Sequence, residues 1–341
     1  MQLLGVKWPL IQAPMAGAQG IELALAVASA GALGSLPCAM LNATQIQQAV
    51  AQFRQQTKAP INLNFFCHTP PIAQPQKLQQ WQQRLQPYYQ ELSVTAVNAV
   101  AERRPFDTAM AEAIAPLQPE VVSFHFGLPE PSLLQQVKSW GSKVIASATT
   151  VAEGLWLQAQ GVDAVIAQGL EAGGHRGHFL NDDLSLQLGT FALLPQLVAA
   201  LNVPVIAAGG IVDAKSIAAA VTLGASAVQV GTAYLLCPET TISQLHRQAL
   251  ADPQRNSHTA LTRVFSGRPA RGIVNRLMQE QATATIPDFP LATGAIAPLR
   301  SAAEQQGSSD FSPLWCGQNA SGCRAIPAAE LTRQLVTGFQ Q

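Results

Sequence analysis

The chain has 341 residues, and its 20 Lys and Arg balance 20 Asp and Glu to a formal net charge of zero. Only 12% of residues are charged while 48% are hydrophobic. That excludes a nucleic-acid binder, which must answer phosphates with basic residues, and a disordered chain, which cannot carry so much apolar content. The length suits one large domain or two ordinary ones around a sizeable core.

The N-terminus, MQLLGVKWPLIQAPMAG, has no basic region leading into a clean apolar stretch and cleavage site. No window reaches the roughly 18 uninterrupted apolar residues of a membrane helix. Five cysteines (Cys38, Cys67, Cys237, Cys316 and Cys323) are odd in number and scattered, which reads as reduced thiols without a metal. A cytoplasmic location with no membrane partner is expected.

Along the first two-thirds of the chain, short apolar runs end in Gly, Asn, Ser or His and give way to helical stretches. The runs are Leu10–Met15, Gly31–Leu36, Ile61–Phe66, Val121–Phe126, Lys143–Thr149, Asp163–Gly169, Pro204–Gly210 and Ser226–Thr232. Runs without polar alternation mark parallel strands covered on both faces. Helices are predicted between them at about 20–29, 43–56, 75–97, 131–140, 151–160, 189–201 and 213–223. The Gln-rich segment Pro75–Val100 is a long insertion after the third strand. Eight β/α units predict a TIM-type (β/α)8 barrel. A doubly wound sheet would want an early G-x-G-x-x-G, which is absent.

After Thr232 the rhythm stops. Helices are predicted over 241–251 and 274–281, with the loop FSGRPARG (265–272) between them and a closing helix over 327–336. The organisation predicted is a barrel over 1–235, a smaller, largely helical domain over 236–322, and a closing segment, 323–341, packed on the barrel.

Chemistry in such a barrel gathers at the carboxyl ends of its strands. Asn64 and Gln168 sit there among apolar neighbours, as core amides or as ligand contacts. AAGGI (207–211) and VQVGTA (228–233) end the seventh and eighth strands, where glycine lets backbone amides approach a phosphate. His175, in EAGGHRG, follows the sixth strand and is placed to lean over the mouth. Its neighbour Arg176 either pairs with an anion or points to solvent. His125, a second candidate catalytic residue, points into the mouth or toward a neighbour. No metal or G-x-S-x-G hydrolase pattern is present.

The segments IQAPMAG, NLNFF, SFHFG, IAQGLEAGGHRG, PVIAAGGI, SAVQVGTAYL, FSGRPARGIVN and DFSPLWCGQ resemble the nitronate monooxygenase family over nearly the whole chain. The resemblance implies noncovalent FMN and a smaller domain covering the substrate. It implies oxidation of alkyl nitronates such as propionate 3-nitronate, and of nitroalkanes in some cases, by O2 through a flavin semiquinone to a carbonyl compound and nitrite. By the same resemblance, Asn64 and Gln168 bond the flavin ring or ribityl chain, and Met15 lies against the isoalloxazine. Gly173 and Gly210 belong to the FMN-binding backbone, with Gln229, Val230, Gly231 and Thr232 at the phosphate. His175 matches the catalytic histidine. The rival reading is an NAD(P)H-using FMN reductase of the enoyl reductase type. A monomer or homodimer fits either.

Overall fold

The computed structural model describes residues 3–95 and 103–340. Eight strands form one parallel sheet: β1 (Leu10–Gln12), β2 (Gly34–Pro37), β3 (Ile61–Phe66), β4 (Val121–His125), β5 (Lys143–Ala148), β6 (Ala164–Gln168), β8 (Val205–Ala208) and β9 (Ala227–Val230). The order β1-β9-β8-β6-β5-β4-β3-β2 is closed by a parallel bridge between Ile11 and Leu33. The sheet is therefore the predicted barrel.

The absence of polar alternation has a direct cause. Ile145, Ile166 and Ile206 pack together in the barrel interior, while their neighbours Val144, Val165 and Val205 face the surrounding helices. Both faces are apolar because both are buried.

The helices around the barrel are α1 (Ile21–Ser29), α2 (Ala43–Gln56), α4 (Thr108–Ile114), α5 (Pro131–Ser139), α6 (Val151–Ala159), α7 (Thr190–Ala200) and α8 (Ala214–Thr222). Capping boxes start α2 at Asn42 and α8 at Asp213. The helix predicted over 75–97 is α3 (Pro75–Glu91), and the end of its predicted span falls among residues 96–102, outside those described. Helix α4 escaped the sequence reading, since its seven residues hold little more than one turn of pattern.

A second lobe follows β9. It contains α9 (Gln244–Ala251), α10 (Pro253–Asn256), α11 (Arg276–Glu280) and α12 (Ala292–Gln305). It also holds a three-stranded antiparallel sheet in the order β10 (Thr259–Thr262), β11 (Ala270–Ile273), β7 (Gly174–His175). Neither that sheet nor α12 was read from sequence. Pro298 and Gly294 made α12 look like a connection, and the sheet pairs residues about a hundred positions apart. The last helix, α13 (Ala328–Leu335), returns to the barrel and packs on α1 and α8.

The insertion helix α3 joins the second lobe. Its Trp81, Leu85, Tyr88 and Tyr89 share one core with Leu277 and Met278 of α11, and with Ala295, Ile296 and Leu299 of α12. The Tyr89 hydroxyl donates to the Ala295 carbonyl (2.5 Å), and the Tyr88 hydroxyl donates to Glu280 (2.6 Å). Leu85 is completely buried there. Leu85→Ala is predicted to cost about 2–5 kcal/mol through lost burial and a residual cavity, measured by chemical denaturation.

Candidate active site

The barrel mouth and the second lobe enclose a cavity of about 440 Å³, within the usual range for small-ligand sites. Ten of the eleven site residues singled out from sequence line it: Met15, Asn64, His125, Gln168, Gly173, His175, Gly210, Gln229, Gly231 and Thr232. Val230 does not. It is fully buried, and its carbonyl accepts from the Ala13 amide (2.8 Å).

The loop carrying Met15 is fixed from below. The Met15 amide donates to Gln19 Oε1 (3.0 Å), Gln19 Nε2 donates to the Ser35 carbonyl (2.7 Å), and Ser35 N donates to Gln12 Oε1 (3.1 Å). Buried amides paired in this way hold a loop that has no regular structure. Asn64 Nδ2 donates to Ser123 Oγ (3.0 Å), which orients the amide within the mouth.

Gln168 holds the histidine loop. Its Nε2 donates to the His175 carbonyl (3.0 Å), and its Oε1 accepts from the Gly177 amide (2.7 Å). Arg176 takes neither orientation weighed from sequence. Its guanidinium is fully buried and donates to Gln187 Oε1 (2.7 Å) and to the carbonyls of Gly169 (2.8 Å) and Gln168 (2.9 Å). Glu171 is also engaged within the protein, accepting from the amide and hydroxyl of Thr190.

His175 pairs through its backbone with Ala270 of β11. Its Nε2 lies 2.8 Å from Ser266 Oγ, within the segment FSGRPARG. The ring stands among Phe289, Trp315, Phe126 and Phe66, with centroids 5.4, 5.6, 6.0 and 6.4 Å away. Burial in this aromatic wall holds its pKa well below the ordinary histidine value, and the positive charges of Arg103 and Arg268 act in the same direction. His125 lies against it. His125 Nε2 is 3.2 Å from the His175 carbonyl, which can only accept, so Nε2 carries the proton and Nδ1 accepts from Ser147 Oγ (3.1 Å). Burial pushes His125 down to about 3.

Ser266, Trp315 and Gly317 contribute to the site from the second lobe without having been singled out. The Gly317 amide donates to Thr232 Oγ1 (2.9 Å), joining that lobe to the end of β9. Their signal lay in the quoted segments FSGRPARG and DFSPLWCGQ, but only the β11–β7 pairing brings them to the mouth. Among the described residues no group of His, Cys, Asp or Glu is placed to hold a metal ion.

The end of β9 has features that the protein alone leaves unexplained. The buried Gln229 Oε1 faces no donor. Gly231 has φ −113°, outside the left-handed region, and a Cβ there would meet Ala13 Cβ at an ordinary 3.4 Å. Neither conformation nor packing requires glycine, and its bare backbone leaves room for a ligand to approach. Gly209 and Gly210, at the end of β8, adopt φ of 113° and 73° and turn the chain beside it. This is the phosphate corner of a (β/α)8 barrel, and the residues fit a flavin mononucleotide.

Fold and cavity thus define a barrel flavoenzyme with an aromatic, histidine-bearing wall. The nitronate monooxygenase family model matches residues 1–338. The chain is 41% identical to a nitronate monooxygenase of Pseudomonas aeruginosa over 98% of its own length and 97% of the relative's. It is 40% identical to one from Paraburkholderia phytofirmans, over 100% and 94%. A solved nitroalkane oxidase from Streptomyces ansochromogenes superposes with TM-score 0.92 at 34% identity, covering 98% of this chain and 96% of that one. The chain belongs to the nitronate monooxygenase family. It is an FMN-dependent enzyme that oxidises nitronates with O2 and releases nitrite.

Two outcomes follow from this geometry. Gly231→Val should purify with most of its flavin lost, read as the ratio of visible to ultraviolet absorbance, yet melt within a few degrees of the flavin-free parent. The second concerns pH. Burial holds His68 and His246 near 4 in the folded protein, against 6.5 for a free imidazole. Between those values the unfolded chain binds more protons, so stability falls as pH drops from about 6.5 toward 4. Thermal melts across that window should show it.

Proposed function

We propose that His175 handles the proton at the α-carbon of the substrate, and that the strand ends at the barrel mouth would hold FMN. The observation that carries this reading is the state of the His175 ring: buried, uncharged at neutral pH, bonded through Nε2 to Ser266, and lining the cavity. The Ser266 hydroxyl donates to the Arg268 carbonyl (3.3 Å), so its oxygen accepts from Nε2–H of His175, which leaves Nδ1 with the lone pair a base needs. His125, with both nitrogens engaged, acts as a positioning residue that fixes the His175 backbone.

Bound FMN supplies the electron-accepting chemistry. Asn64, Gln168 and Met15, which line the mouth, would hold its ring and ribityl chain. Gly173, Gly210, Gln229, Gly231 and Thr232 supply the cradle, with Val230 setting the backbone between them. For a neutral nitroalkane, His175 removes the α-proton. For a preformed nitronate that proton is already gone, and the ring orients the substrate.

The substrate we favour is a small nitronate such as propionate 3-nitronate, in keeping with the close aromatic wall. The lobe over 236–322 covers it, and the segment 323–341 anchors the lobe to the barrel. One chain lines the whole cavity, which suits a monomer or a homodimer. A cytoplasmic setting is supported by five free cysteines, and no helix among the described residues is long and apolar enough to cross a membrane.

The test is His175→Asn. Turnover of neutral nitroalkane should fall by about 100-fold or more, turnover of the preformed nitronate much less, and flavin content should stay at the parent level. Equal losses on both substrates would remove the base assignment.

A further inference from the structure

The charges lining the cavity are not all accounted for by the protein. Glu171 is bonded to Thr190, and Arg300 Nε donates to Glu304 (2.8 Å). The lining histidines 125, 175 and 246 are held uncharged at neutral pH by burial. Arg103 is left. Its carbonyl accepts from His68 Nε2 (3.0 Å), but its guanidinium has no hydrogen-bond or ion-pair partner among the described residues. It is half-buried, and burial lowers its pKa. Withdrawing a cation from water without a counterion is unfavourable, and no carboxylate of the lining reaches this one: Glu171 is turned to Thr190 and Glu304 to Arg300.

The position of Arg103 says which anion. It lines the cavity together with Phe66 of β3 and His125 of β4, and its charge is the strongest one acting on the His175 ring. The glycine corner expected to hold the flavin phosphate ends β8 and β9, separated from β3 and β4 by β5 and β6 on one side and by β1 and β2 on the other. Arg103 therefore stands on the reacting side of the mouth, away from the phosphate. The other guanidinium acting on His175, Arg268, is not among the residues lining the cavity: it lies over the Phe126 ring (4.1 Å) and donates to the His178 carbonyl.

A nitronate differs from its parent nitroalkane by one proton and one full negative charge shared over two oxygens in a plane. A guanidinium recognises that shape with paired N–H groups, as it does a carboxylate. We propose that Arg103 is a specificity-determining residue that pairs with the nitronate group and so makes this site take a simple alkyl nitronate in preference to its neutral nitroalkane acid. The assignment rests on the reaction proposed above, and adds to it the group that reads substrate charge.

The flavin-loaded enzyme and its Arg103→Gln and Arg103→Lys variants test this. Flavin absorbance is titrated with propionate, an inert planar anion, and with neutral 1-nitropropane, and KM is measured for the nitronate of 1-nitropropane. In Arg103→Gln, propionate binding should weaken about 30-fold with a parallel rise in KM, while nitropropane binding stays within about twofold. Arg103→Lys, which keeps the charge but not the paired N–H groups, should recover only part of the difference. Equal weakening for the anion and the neutral compound would make Arg103 a packing residue and overturn the proposal, as would no change in either. If the parent enzyme binds propionate but neither consumes O2 nor releases nitrite with the nitronate, the reaction reading fails while the titration still decides the role of Arg103.

Discussion

A buried guanidinium fixes the geometry on which the rest of the site depends. Arg176 gives its hydrogen bonds to three uncharged oxygens, two of them backbone carbonyls at the end of β6. Burial lowers its pKa only to about 10, so it stays charged at neutral pH. A charge in that position is costly unless its donors are paired, and each of the three guanidinium nitrogens has a partner. Satisfying those donors forces the chain to curl back over the barrel mouth immediately after β6. Gln168 closes the same curl from the other side through the His175 carbonyl and the Gly177 amide. With the loop held, Gly174 and His175 can pair with β11, and that pairing draws the second lobe onto the barrel. Barrel end, histidine and lobe are thus consequences of one packed turn.

The low charge noted at the outset takes its meaning from this arrangement. The cavity is built from backbone amides, side-chain amides and aromatic rings, and its carboxylates are bound within the protein. In such surroundings each remaining charge acts strongly, because there is little water or counterion to screen it. His175 shows the effect: burial and two nearby guanidinium groups hold it uncharged. An uncharged imidazole and an unpaired Arg103 on the same cavity wall suit an anionic substrate, while the lining carboxylates Glu171 and Glu304 are turned to partners within the protein.

The barrel was legible because eight apolar runs, evenly separated by helical stretches, have few other solutions. The glycines at the ends of the last two strands were legible because their spacing matched that architecture. The second lobe was not. Its sheet joins Gly174–His175 to Ala270–Ile273, a pairing with no local pattern, and α12 carries Pro298 within it. The Gln-rich helix α3 read as an insertion because its partners lie about two hundred residues further on. Arg176 was ambiguous for a similar reason. A guanidinium beside a catalytic loop looks like an anion site until the carbonyls that surround it are known. Arg103 was not legible because the pair Arg103–Arg104, set between Glu102 and Pro105, carries no periodic signal.

The central claim is that this cavity holds a flavin whose reduction by a nitronate is answered by O2. The most direct measurement is made on the protein as purified: the visible spectrum is recorded, then O2 uptake and nitrite release are followed together after addition of propionate 3-nitronate, with no NAD(P)H present. The account predicts a flavin spectrum and nitronate-dependent O2 consumption accompanied by nitrite. A protein without flavin, or one that consumes NADPH while ignoring the nitronate, would contradict it.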